Sequence, residues 1–421
     1  MKNVAAAMFF VAAAAFQIFI VIRSNANMDI LKTEIKKLYR TYLIPSLSAA
    51  VVTSIYGFID MIAIGRGVGP DGAAALSIAT PIFGVVSFFG ILCGVGGSVY
   101  LGKARGEGRM EKSNAYFTAS LILILVLTIL AWVGFFFFSR QIYTFFGATD
   151  ILMPLVKAYT DWIVWTMPFF MFSSYLSSMV RSDGAPKRVM AAVIIGGMLN
   201  IFGDWFFVFP MRWGMSGAAL ATVLGTVVQS FILAGHFLSK KCCLRLEKPY
   251  QLPKALRNIL VAGFSASVID IAFIVLTVIL NKQVLRYGGE SSLAVFGVII
   301  SCSSIFQHLF SGVGQAIQPI VSMNYGAGLT YRIREAGRLA LFTELLMGIG
   351  FALTGILFPL PLVRFFVNVT PEILEIAPSI IRVYFLSFLP MGVNILARAR
   401  FSAVRPSRPL GELPSAEART A

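Results

Sequence analysis

Asn200 and Asp204 stand four residues apart in the run VMAAVIIGGMLNIFGDWFFVF, residues 189–209. On a helix that spacing sets one side chain above the other on a single face. The run is long enough to cross a bilayer. An Asp at mid-span costs about 2.5–3.5 kcal/mol on insertion scales, so such a residue usually faces a cavity and works there. The plainer reading is a carboxyl that snorkels to the interface or packs neutral against a neighbour. A second acid, Asp60, lies in another apolar run that reads Gly57-Phe58-Ile59-Asp60-Met61. Two carboxylates in one dry cavity repel, so such a pair can take up H+ or Na+ and exchange it against a cargo. Asp60 also admits an interfacial reading, only a turn or so from Arg66.

Other polar groups are scattered through the apolar runs. Gly217, Ala221 and Gly225 form a small-residue stripe suited to close helix approach. Thr222 lies beside it and either adds a hydroxyl to a cavity or bonds its own backbone. Gly90, Gly94 and Ser98 form a similar packing stripe. Asp270 falls about mid-span, with Gln307, His308, Gln315 and Gln318 along the following apolar run. Asp270, His308 and Gln315 are the candidates for a second polar site. A lone intramembrane His is more often a hydrogen-bonded packing residue than a proton relay, although imidazole titrates near neutral pH. Glu344 and Asp161 are expected to snorkel near span ends. The aromatic and Met residues crowded around Pro168 could line a cavity that takes amphipathic cations through soft contacts and cation–π attraction.

The elements that must position these groups are membrane spans. Of 421 residues, 57% are apolar and 13% charged; soluble proteins average about 25% charged. The mean hydropathy is +0.81. An all-α polytopic membrane protein is the fold class this implies. The formal charge of +16 does not indicate nucleic acid, because the basic residues sit in short connections between apolar runs. About ten spans are expected, near 43–64, 73–100, 114–138, 155–180, 189–209, 215–238, 257–281, 292–322, 336–358 and 374–397. With the Met28 end cytoplasmic, the inner connections carry most of the Lys and Arg, including Lys103, Arg105, Lys112, Lys240, Lys241, Lys248 and Lys254. Pro45, Pro168 and Pro390 lie within spans and are expected to kink them.

An internal repeat orders the spans. Gly94-Val95-Gly96 recurs as Gly312-Val313-Gly314, Gly106-Glu107-Gly108 as Gly326-Ala327-Gly328, and Pro168 as Pro390. Two pseudo-symmetric six-helix bundles follow, the second incomplete, with a cavity at their interface. The expected units are a first lobe over 28–238, a cytoplasmic linker over 239–256 and a second lobe of four helices over 257–397. Residues 398–421 form a Pro-rich polar tail without a span, expected to be disordered. This suggests a chain shortened at its C-terminus. The apolar stretch within 1–27 reads as an extra helix, a signal segment or an extension upstream of Met28, the last being favoured.

Enzyme signatures are missing: there is no G-x-x-x-x-G-K-[ST], H-E-x-x-H or nucleophile elbow, so neither enzymatic activity nor an organic cofactor is expected. The four cysteines lack disulfide or zinc spacing. Asn368-Val369-Thr370 matches a glycosylation sequon, a weak signal.

The run Phe58-Ile59-Asp60-Met61-Ile62-Ala63-Ile64-Gly65-Arg66 resembles the first-helix signature of the multidrug and toxic compound extrusion (MATE) family. Met179-Val180-Arg181-Ser182-Asp183-Gly184-Ala185-Pro186-Lys187 is similar to that family's loop after helix four. Asn200-x-x-x-Asp204, followed by Gly214-Met215-Ser216-Gly217, resembles its helices five and six. The likeness covers roughly 31–397 and implies an antiporter of the inner or plasma membrane. Such a protein exports organic cations or drugs by alternating access, in exchange for H+ or Na+. It further implies that Asp60, Asn200, Asp204 and Thr222 form a first-lobe cation or proton site, with Na+ as one possible occupant of Asp60, Asn200 and Asp204. Membrane lipids are expected around the chain, nucleic acid is not, and a monomer is expected. No carboxylate stands in 391–397, where Na+-coupled members carry one. A lipid-linked oligosaccharide flippase of the same superfamily and an inactive remnant are the alternatives. The flippase would want a strongly basic cavity, which the acidic in-span residues argue against.

Overall fold

The computed structural model describes residues 29–249, 251–366 and 371–404. The 1–27 segment, the Asn368 sequon and the tail beyond Val404 therefore lie outside the described residues, as does the side chain of Asp270.

The first lobe is built from α1 (Ile35–Gly67), α2 (Pro70–Gly106), α3 (Met110–Phe145), α4 (Met153–Trp165), α5 (Met167–Ser182), α6 (Pro186–Gly203) and α7 (Gly214–Ala234). A π-helical turn, Asp204–Val208, extends α6, and a 3₁₀ turn, Gly235–Leu238, closes α7. The second lobe comprises α8 (Leu252–Gly326), α9 (Thr330–Leu357), α10 (Pro359–Phe366), α11 (Pro371–Phe385) and α12 (Phe388–Val404). Pro at the first turn starts α2, α4, α5, α6 and α8, where its missing N–H is not needed. Among the described residues, eight helices are long and apolar enough to cross a membrane, nine if the bent pair α4–α5 is one span. The expected span at 257–281 falls in the first leg of α8.

The α8 run must reverse direction. Gly263 meets the Leu92 carbonyl of α2 and Gly96 meets that of Ile259, while Gly106 meets that of Met323. A straight helix would hold Ile259 and Met323 about 96 Å apart, whereas Gly96 and Gly106 are separated by about 15 Å along α2. The two legs therefore fold back on one another and flank α2.

The expected proline breaks are realised differently. α4 and α5 meet at 59°, and Pro168 stands in the first turn of α5. Pro390 stands in the first turn of α12, after the break that ends α11. Pro45 is carried inside α1 without interrupting it. α12 continues past Ala397 to Val404, so the first residues assigned to the tail are helical. The sequence reading also misplaced Glu344. Its helix begins at Thr330, because the basic segment Arg332–Arg338 is helical, so Glu344 falls near mid-helix and is fully buried.

Three large apolar clusters among the described residues hold the lobes. The first fills the space among α2 to α7. The second lobe is centred on an aromatic group in which Phe306 stacks on Phe351 at 3.8 Å and meets Phe388 edge-on at 4.9 Å. The third joins the lobes: Ile35, Leu38, Tyr39 and Tyr42 of α1 pack with Val313, Ala316, Ile317 and Ile320 of α8. The outer half of α1 belongs to the first lobe, where Val52, Tyr56 and Ile59 pack on Met190, Ile194 and Ile201 of α6.

Repeat-related residues meet at the seam between lobes. The Gln318 amide donates to the Ser98 hydroxyl at 2.9 Å, across a separation of 220 residues. Gly102 abuts Ser322, and Gly106 abuts Gly326 and Ala327. The two equivalent turns end in Gly108 (φ 74°) and Gly328 (φ 71°), a left-handed conformation that favours glycine.

Candidate functional site

Small residues bring α6 and α7 together. Gly196 and Gly225 face one another so closely that a Cβ on either would lie 2.5–2.6 Å from the opposite carbonyl oxygen. Gly203 packs on Ala221, and Gly217 on Phe207. This approach lets the Asn200 amide donate to the Thr222 hydroxyl at 3.0 Å. Thr222 and Tyr159 of α4 line the same cavity, and the Tyr159 hydroxyl donates to Asp60 Oδ2 at 2.9 Å. Asn200 with Thr222 and Tyr159 with Asp60 thus form two hydrogen-bonded pairs on one wall.

Asp204 opens the π turn and is 0% exposed; Asp60 is 8% exposed. The Asp204 amide N–H donates to the Asn200 carbonyl, as the helical i, i+4 relation requires. Asp60 and Asp204 lie near enough for their charges to repel. Among the described residues, Asp60 Oδ1, Asn200 Oδ1 and both Asp204 carboxylate oxygens have no hydrogen-bond donor. Buried acceptors without donors are costly and call for something positive. Protons or one small hard cation fit these oxygens.

Beside the group lies a cavity of about 570 Å³. Its wall includes Tyr56 and Asp60 of α1, Phe83 of α2, Tyr159 and Phe170 of α4 and α5, Asn200, Thr222 and Gln229 of α6 and α7, and Ser301, Ser304 and His308 of α8. It contains no Lys or Arg among the described residues. The lining positions of α1, α2, α6 and α8 fall in their outer halves, given a cytoplasmic inner end for α1. The ends of α2 and α8 at Gly106 and Gly326 are in backbone contact, so the cavity lies toward the opposite end of the bundle.

The structure thus gathers Asp60, Asn200, Asp204 and Thr222 into one group, and adds Tyr159. No periodicity in the fourth span singles out that tyrosine; only its hydroxyl in an apolar run could have drawn notice. Of the second-lobe candidates, His308 lines the cavity, while Gln315 is exposed two turns further along α8 and is absent from the lining. Asp161, expected to snorkel, is half-buried and accepts a 3.4 Å hydrogen bond from the Tyr143 hydroxyl.

A second polar cluster ties the inner ends. Arg105 of α2 pairs with Asp183 Oδ1 at 2.6 Å, and His236 Nε2 and the Cys243 N–H meet Oδ2 at 2.7 and 3.1 Å. Burial alone would raise the Asp183 carboxyl. The His236 hydrogen bond and the Arg105 guanidinium overcome it and hold the group below its ordinary value. Cys242 adds a thiol within 4.8 Å of the Asp and His ligand atoms. Both carboxylate oxygens are engaged and a guanidinium lies against one, so the cluster reads as an ion-pair tie rather than a metal centre.

The profile of the MatE family matches residues 45–206 and 257–409. The multidrug export protein MepA of Staphylococcus saprophyticus is 25% identical over 70% of this chain, and the match spans 65% of that protein's length. The probable multidrug resistance protein YoeA of Bacillus subtilis is 25% identical over 73% of this chain and 68% of its own. Among solved structures, the MATE multidrug transporter DinF-BH superposes with a TM-score of 0.80 at 27% identity, covering 87% of this chain and 83% of that one. An outward-facing multidrug resistance MATE family transporter superposes at 0.83 with 22% identity, covering 91% and 85%. At that identity the second likeness speaks for the fold.

Proposed function

Because the chain belongs to the MatE family, and so is a multi-pass protein of the cell membrane, we propose that it is a secondary active exporter of organic cations and drugs. One observation carries the reading. The Asp60 carboxylate and the Asn200 amide oxygen, both with unpartnered acceptors, border a cavity walled by aromatic residues, and the unpartnered, wholly buried Asp204 carboxylate lies close enough to Asp60 for the two charges to interact. Such oxygens hold either protons or Na+, and their loading changes the charge beside the cargo. Cation arrival on Asp60 and Asp204 removes the negative charge that attracts an organic cation, so cation entry and cargo release are linked. The Tyr159 hydroxyl fixes the Asp60 carboxyl through Oδ2 and leaves its Oδ1 for the incoming cation. Soft aromatic walls at Tyr56, Phe83 and Phe170 suit varied amphipathic cargo. The absence of Lys and Arg from the described lining speaks against an anionic lipid-linked cargo.

Expression in an efflux-deficient host should raise resistance to cationic dyes. Asp60→Asn and Asp204→Asn should each abolish most of it while membrane levels of the protein hold. Retained resistance in the double variant would overturn the site. In proteoliposomes, export driven by an imposed pH gradient but not by a Na+ gradient would identify the coupling ion as H+, and the reverse as Na+.

A further inference from the structure

A second cavity, of about 640 Å³, lies near the Gly106–Gly326 contact and shares no described lining residue with the first. Its floor is aromatic. The Tyr100 and Tyr116 rings of α2 and α3 stack at 5.1 Å, and the Asn258 amide of α8 donates to the Tyr116 hydroxyl at 3.3 Å. Ala104, Ala115 and Ala255, one from each helix, leave the space between them open. The rest of the lining carries both signs: Lys103, Lys112, Lys248 and Lys254 stand with Glu107, Glu111 and Glu247. Glu107 is matched by Arg109 at 3.3 Å and Lys112 at 3.5 Å. Glu111, Glu247, Lys248 and Lys254 are exposed at the rim, and among the described residues none of the four is in an ion pair. The connection that carries Lys248 is pinned to the first lobe by alternate amides, as an extended segment allows. The Cys243 N–H donates to Asp183, the Arg245 N–H to Asn114 at 3.3 Å and the Glu247 N–H to Thr118 at 2.9 Å.

The 36 residues from Asp71 to Gly106 make a helix about 54 Å long, against about 40–45 Å for a bilayer with its headgroups. Tyr100 and Lys103, within two turns of the end of α2, therefore fall in the headgroup layer, where tyrosines gather. Basic pockets between spans at this level take phospholipid phosphates. Glu111 and Glu247 narrow the choice, because they repel a headgroup that is only negative and complement one that also carries an ammonium. We propose that this cavity binds the headgroup of a zwitterionic phospholipid with a primary ammonium, its phosphodiester held by Lys248 and Lys254 and its ammonium by Glu111 and Glu247. Because α2 and α3 face α8 across the cavity, the bound lipid bridges the two lobes and braces them at that end. The site stands apart from the cargo cavity and does not depend on what the chain exports.

The test is titration of the delipidated full chain in dodecyl maltoside with short-chain phospholipids, read by native mass spectrometry and by the melting temperature. Phosphatidylethanolamine should bind and raise the melting temperature. Phosphatidylcholine, whose ammonium has no N–H, and phosphatidylglycerol, which has no ammonium, should bind about tenfold more weakly. The double variant Lys248→Gln, Lys254→Gln should weaken phosphatidylethanolamine binding about thirtyfold. Its lipid-free melting temperature should match that of the parent, because both lysines are exposed. The double variant Glu111→Gln, Glu247→Gln should lose the preference for phosphatidylethanolamine over phosphatidylglycerol. Equal affinity of the parent and the lysine variant for phosphatidylethanolamine would overturn the proposal, as would equal affinity of the parent for all three lipids. Soluble phosphoethanolamine bound as tightly as the lipid would also overturn it, by showing a site for a free phosphate compound.

Discussion

Asp183 shows what a single buried carboxylate does where α5 ends. Its side chain is 0% exposed and that of Arg105 9%, so each group depends on the other for its charge. Removing one partner of a buried pair costs about 3–5 kcal/mol, because the remaining charge stays desolvated. Asp183→Asn should lower the melting temperature in detergent accordingly, and an unchanged melting temperature would show that the pair adds nothing to the fold. The pH dependence follows from the direction of the shift. The folded state holds this carboxyl below its ordinary value of 3.8, so between the two values the unfolded state binds the extra proton. The contribution is complete above that value and is lost as pH falls through the folded one. Asp183→Asn should flatten the acid limb below about pH 4. Asp60 and Asp204 were legible in the sequence because a charge inside an apolar run is conspicuous. Tyr159 was not, since a tyrosine in a Phe-rich span looks like packing until its hydroxyl is seen on Asp60. Glu344 was misread because the apolar run starts later than the helix that carries it.

Helix pairs decide where those groups point. The α6–α7 contact rests on Gly196 and Gly225, each leaving no room for a Cβ. Gly225→Ala should force the helices apart at that level and lengthen the Asn200–Thr222 hydrogen bond of 3.0 Å. Overpacking of this kind costs about 1–3 kcal/mol. The variant should express but export weakly, with the cation dependence of transport shifted; full transport would show that the α6–α7 spacing does not set the site. The stripe Gly217, Ala221, Gly225 announced this contact, because small residues at helical spacing have few other uses. The π turn at Asp204–Val208 left no such mark. It comes from fitting Gly203 to Ala221 and Phe207 to Gly217, which is a property of two helices together. Such turns often accompany functional sites, and this one carries Asp204 at its first position.

At the scale of the molecule, the internal repeat becomes a contact rule. Ser98 meets Gln318, Gly102 meets Ser322 and Gly106 meets Gly326, so each half touches the other through its own counterpart. The motifs showed the duplication, but nothing in one half states how it docks on the other. The inner end of α1 is fastened to the second lobe as well. Arg332, buried in α9, donates to the carbonyls of Ile30 at 3.0 Å and Thr33 at 2.6 Å and to Asn324 at 2.8 Å. The Tyr39 hydroxyl adds a 3.0 Å bond to Thr343. Arg332→Ala should release this fastening and open the bundle at that end. Spin labels at Lys36→Cys and Arg334→Cys should then move apart relative to the parent; an unchanged distance distribution would show that the apolar contacts alone hold that side shut.

The glycines along α2 and α8 have a mechanical consequence. Where two helices touch main chain to main chain, no side chain interleaves with its opposite, and parting them turns no rotamer. The join resembles two smooth plates more than a zip, strong while pressed together by neighbouring contacts and with few teeth, such as the Gln318–Ser98 hydrogen bond and Ser322 against Gly102, to catch as it comes apart. Speed of opening, rather than tightness of closure, is what such a surface favours, and a methyl added at Gly106, against the Met323 carbonyl, would give it another tooth.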